Sequence, residues 1–172
     1  MSTGRSALAL AAAVATAVTA VPAAAAVAAD QAPSVIGPHG YGKLLLGMDE
    51  KAARATGLLN LDPEQRVEFG GCVLYPMRGV GGHEPVVVLS RKDGLISIEP
   101  FNTARTPEGV KAGATLRQVT AVYPKVRPES PRPSAYLAPA PGRADASYRF
   151  VFRPDGTFHG PGLRLNRYDC AR

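Results

Sequence analysis

His39, His83 and His159 are the side chains able to take or give a proton near neutral pH, so any acid–base chemistry starts with them. Each stands beside Gly or Pro, in PHG, GHEP and HGP, which are loop contexts. A nucleophilic hydrolase needs Ser or Cys next to such a base, often on a sharp Gly-flanked turn. The chain holds no G-x-S-x-G, and Ser90, Ser97 and Ser147 fall in or beside predicted strands. His83-Glu84 lacks the i, i+4 partner that would put two metal ligands on one helix face. Asp and Glu are scattered throughout, and no pair stands out for carboxylate catalysis. GVGGH (79–83) lacks the strand–loop–helix setting of a phosphate cradle. The reading is therefore no catalytic residue, no metal and no cofactor. A small secreted hydrolase using loop histidines, His83 and His159 first, is the enzymatic alternative.

The N-terminus reads as an export signal. A short polar head with Arg5 precedes an Ala/Leu/Val run from Ser6 to about Val21, and small residues continue to Ala29. Ala26-Val27-Ala28 and Val27-Ala28-Ala29 fit the small-x-small cleavage rule, and a retained N-terminal anchor is the alternative. Cleavage before Asp30 takes 29 of 172 residues and leaves 143, one ordinary domain. The expected organisation is a signal peptide (1–29), an extended lead (30–41) and a single domain (42–172). Losing Arg5 lowers the formal charge from +6 to +5, a balance that suits anionic surroundings such as cell-wall polymers or an acidic partner. Basic residues are not interleaved with aromatics as a nucleic-acid groove requires, so nucleic acid is not an expected partner. Outside the cytoplasm, the chain's two cysteines, Cys72 and Cys170, are expected to pair. Two buried, unpaired thiols are the alternative.

The elements fall into two comparable halves. GMDEKAARATG (47–57) predicts a short helix with Asp49 as N-cap, Ala52 and Ala55 on one face and Gly57 as the stop. GATLRQVTAVYP (113–124) predicts another, with a Thr115–Gln118 capping box, an apolar stripe of Leu116, Val119 and Val122 or Tyr123, and Pro124 as terminator. Strands are predicted at 72–75, 86–89 and 95–98, then at 135–138, 148–152 and 163–165. RKDG (91–94) and RPDG (153–156) supply Asp-Gly hairpin turns in the two halves. The fold class expected is α+β: two tandem helix-plus-three-strand repeats (about 42–105 and 106–172) making an antiparallel sheet with helices on one face.

LLLGMDEKAARA and RTPEGVKAGATLRQV resemble the helix starts and the Thr-Pro-x-Gly-Val lead of small exported tandem-repeat proteins of high-GC Gram-positive bacteria. Their architecture is similar to that of the β-lactamase inhibitor protein family and, more distantly, of small outer-membrane assembly lipoproteins. The resemblance covers about 42–170. It implies tandem helix–strand repeats and binding of another protein through an exposed sheet face. The inhibitor family carries cysteine pairs within its repeats, whereas this chain has one cysteine per half, and no inhibitory loop motif carries across.

The proline-rich crossover 124–141, with Lys125, Arg127 and Arg132, reads as a stiff connector or as an extended docking segment. Tyr136, Tyr148, Phe150 and Phe152 lie nearby in the predicted sheet; together with Arg127 and Arg132 they form a candidate binding patch, or else the aromatics are core. The function expected is a secreted, non-enzymatic binding or envelope-associated domain engaging a protein or an anionic wall component. An inhibitor of an extracellular enzyme is a further alternative.

Overall fold

A computed structural model describes residues 35–79, 86–168 and 170. The signal segment, the start of the lead, His83 and most of GVGGH lie outside the described residues. Ten strands and two α-helices follow in chain order: β1 (Gly40–Tyr41), β2 (Leu44–Leu45), α1 (Glu50–Ala55), β3 (Val67–Phe69), β4 (Cys72–Pro76), β5 (Val86–Ser90), β6 (Gly94–Glu99), α2 (Leu116–Val122), β7 (Arg127–Glu129), β8 (Arg132–Ala140), β9 (Arg143–Phe152) and β10 (Phe158–Leu165). β1 and β2 form a small hairpin, and the other strands make one antiparallel eight-stranded sheet of order β3-β4-β5-β6-β10-β9-β8-β7.

This corrects the expected α+β arrangement of two helix-plus-three-strand repeats. The molecule is mostly β, its helices span only six and seven residues, and each half adds a fourth strand, β3 or β7, at an outer edge of the sheet. The proline-rich crossover is likewise not a connector: most of it is the β7–β8 hairpin. Pro128 is compatible with a strand there because β7 lies at an edge, where a missing N–H faces solvent.

Local signals explain the helices. Asp49 accepts a hydrogen bond from the Ala52 amide at 2.7 Å and caps α1. Thr115 and Gln118 close the expected capping box on α2. The buried face differs from expectation on α1 and matches it on α2, where Leu116 also packs against the core. Ala53, not Ala52 or Ala55, enters the core from α1, and Val119 with Tyr123 does so from α2, while Val122 stays exposed. A helix as short as α1 presents one position inward, and the sheet selects which one.

One sheet face is the core. Tyr75, Val87, Ile98, Leu163, Tyr148 and Ala138 form a single cross-strand row over six strands. They pack in one cluster with Ala53, Val119 and the hairpin residues Tyr41 and Leu44. Each large side chain buried there contributes about 1.5–3 kcal/mol. Ile36, in the predicted lead, is also fully buried.

Candidate functional site

The opposite face carries charge. Its next row runs Leu74, Val88, Ser97, Arg164, Ser147 and Pro139. Beside it Arg149 stands opposite Leu137, which stands opposite Arg127. Period-two alternation sends these side chains away from the core. Arg149 on β9 donates from Nη1 to both oxygens of Glu99 on β6, at 3.0 and 3.1 Å, and from Nε to Glu129 on β7 at 2.7 Å. Arg164 on β10 donates to the other Glu129 oxygen at 2.5 Å. The four side chains are only 9–15% exposed. Burial acts to lower the Arg149 pKa, but Glu99 and Glu129 together outweigh it and raise it, so the guanidinium stays charged.

After β10 the chain runs along this face as a strap, through Asn166, Arg167, Tyr168 and Cys170. Ser147 Oγ donates to Asn166 at 2.6 Å, Arg167 reaches Asp93 at 2.9 Å, and the Arg164 guanidinium lies 4.5 Å from the Tyr168 ring centroid. The strap ends at Cys170, bonded to Cys72 with a Cα–Cα distance of 5.4 Å, so the expected disulfide is present. Gly70 admits this close approach, since a Cβ there would sit 1.7 Å from the Cys170 carbonyl oxygen. Ser147, bonded to the strap, and its row neighbours Ser97 and Val88 are at most 3% exposed.

The predicted patch divides. Tyr148, Phe150 and Phe152 are core residues stacked among Tyr123 and Phe158, and Tyr136 packs edge-on against Phe152. None of the three buried rings can anchor a partner. Arg127 and Arg132 are exposed, and register puts both on the charged face, Arg127 opposite Leu137 and Arg132 opposite Glu129. Among the described residues neither is in an ion pair, whereas Glu99 and Glu129 are consumed by Arg149 and Arg164. The charge of Arg132 reaches the Tyr168 hydroxyl at the edge of the strap and opposes the upward shift that burial imposes on it.

The histidines do not assemble. His39 is exposed in the turn before β1, while His159 lies within strand β10 rather than in a loop. Its Nδ1 is 3.2 Å from the Arg153 guanidinium, and its ring is 5.8 Å from that of Phe101. The serines are used structurally: Ser97 donates to Glu99, and Ser90 Oγ accepts from the amides of Lys92 and Asp93 in the β5–β6 turn. Among the described residues no three His, Cys, Asp or Glu side chains converge to hold a metal. A groove of about 450 Å³ beside α1 mixes Asp49, Glu50 and Asp93 with Arg91 and Lys92, so its charges largely cancel.

Sequence reasoning missed the Glu99–Arg149–Glu129–Arg164 network. The signal was a charged residue at an alternate position inside apolar strands, as in Tyr148-Arg149-Phe150 and Leu163-Arg164-Leu165. Comparison with protein-family models, with curated proteins and with solved structures finds no match to this chain.

Proposed function

We propose that this is an exported, non-enzymatic binding domain whose strap-bearing sheet face engages an anionic polymer of the cell envelope. The observation that carries the reading is Arg127 and Arg132: two exposed arginines on one face, without acidic partners among the described residues, beside carboxylates that are already neutralised. Phosphate or carboxylate groups spaced along a polymer complement such a pair. The apolar surface next to it is small, Leu137 being half-buried; of the exposed large apolar residues, Leu45 and Val122 belong to other elements, and Val67 and Phe69 stand on β3, at the far edge of the sheet from the two arginines. Charge rather than an aromatic anchor therefore dominates this surface, which favours a polymer over a shape-matched protein. Export is supported by the N-terminal segment and by a disulfide closing most of the domain.

The test is co-sedimentation of the purified protein with isolated cell walls over a salt series. Binding that falls with salt and is lost in Arg127→Glu/Arg132→Glu supports the proposal. Salt-resistant capture of a stoichiometric protein partner, unchanged in that variant, overturns it.

A further inference from the structure

The two edges of the sheet are built differently. β7 carries Pro128 and turns through Ser130-Pro131, so that edge lacks an amide donor at each of these prolines. β3, at the other edge, reads Val67-Glu68-Phe69 with no proline, and Val67 and Phe69 are 53% and 41% exposed.

The β3–β4 turn fixes which backbone groups that edge offers. Gly70 and Gly71 have φ of 53° and 81°, the conformation of a two-residue type I′ hairpin turn. Phe69 and Cys72 are then the hydrogen-bonded closing pair, and by alternation Val67 and Leu74 are the next. Glu68, between them, directs its N–H and C=O away from β4. Arg66 does the same, and its backbone is already extended at φ −81° and ψ 128°. Side chains alternate as well: Val67 and Phe69 lie on the strap-bearing face with Cys72 and Leu74, while Glu68 lies on the other face opposite Val73, with Arg66 and Arg91 ion-paired to its two oxygens at 2.6 and 2.7 Å.

We propose that β3 is a self-association edge, which takes β3 of a second copy of this chain in antiparallel register about a two-fold axis at Val67. That register sets Val67 against the partner's Val67 in the close, non-hydrogen-bonded position. It also sets Arg66 against the partner's Glu68, and Glu68 against the partner's Arg66. The outward N–H and C=O groups of Arg66 and Glu68 meet as a hydrogen-bonded pair on each side of the axis, and opposite charges face each other on both. Centring the pair on Glu68 instead would oppose two carboxylates, so charge selects the register. The interface is isologous and closes at two chains, because the far edge is blocked by proline.

Sedimentation velocity of the purified protein over a concentration series is the test. The wild type forms a dimer, Arg66→Glu or Glu68→Arg alone weakens it by about tenfold or more, and the double exchange restores it. Val67→Lys weakens it similarly while leaving the ion pairs within each chain intact, and circular dichroism checks the fold of each variant. A monomer at every concentration overturns the proposal. So does a dimer that ignores the single changes, since it would use another surface.

Discussion

Glu129 on β7 and Arg149 on β9 are hydrogen-bonded at 2.7 Å although a whole strand, β8, separates their backbones. Arg149 reaches the other way as well, over β10 to Glu99 on β6. The charged network thus links the two four-stranded halves across the β6–β10 seam, where they meet. Removing one member would strand buried charge, at a cost of about 3–5 kcal/mol. Arg149→Met is expected to lower the urea midpoint accordingly, with exposed Arg127→Met as the control. Equal midpoints for the two variants would remove the network from the account of stability.

Gly162 makes that reach over β10 workable. It stands opposite Arg149, and a Cβ placed there would come within 3.1 Å of the Glu99 side chain. Gly162→Ala is expected to cost about 1–3 kcal/mol in chemical denaturation. In an Arg149→Met background the cost should be smaller, because Glu99 is then free to move aside.

Two core tyrosines should behave oppositely. The Tyr148 hydroxyl is buried without a hydrogen-bond partner among the described residues, whereas Tyr123 donates to Glu108. Tyr148→Phe should be neutral or stabilising by about 1 kcal/mol, and Tyr123→Phe destabilising by about 1–3 kcal/mol.

Burial, with Glu108 adding to it, raises the pKa of both tyrosines above the ordinary value. Unfolded tyrosines ionise near pH 10, so the folded state holds more protons above that pH and stability must fall as pH rises. The contribution is complete below about pH 10 and is lost progressively above it. Urea midpoints measured from neutral to strongly alkaline pH should show the decline, flattened in the Tyr123→Phe/Tyr148→Phe double variant. A wild-type midpoint that holds steady through that range would contradict the assignment.

The disulfide closes a loop spanning 98 positions. Cys72→Ser/Cys170→Ser should lower stability by about 4–5 kcal/mol. It should also raise amide exchange at Ser147, whose side chain bonds the strap residue Asn166. Thiol labelling of the denatured, unreduced protein should find no free cysteine, and labelling of both would deny the bridge.

Much of the local structure was legible from particular residues. Asp-Gly in RKDG and RPDG marked the β5–β6 and β9–β10 turns, and Asp49 and the Thr115–Gln118 box marked both helix starts. β3 escaped because three residues are too few to display a period, and β7 because its proline reads as a breaker unless its edge position is known. The aromatic alternation in Tyr148-Arg149-Phe150 announced a strand with unlike faces, but not that its arginine would meet carboxylates from β6 and β7. Those partners lie 50 and 20 positions away, and only the strand order brings them together. In the candidate patch Arg127 and Arg132 are exposed, whereas Tyr148, Phe150 and Phe152 follow the other reading open to the aromatics and are core.

The strap also decides how the domain would bear mechanical load. A pull on the chain beyond Cys170 passes through the covalent link to β4 and does not peel β10 from its neighbours. Only the stretch preceding Cys72, with the β1–β2 hairpin, α1 and β3, can be drawn out, while the strands from β5 to β10 stay inside a closed ring. Tension would therefore strip the β3 edge first and leave the arginine-bearing β7–β8 edge in place.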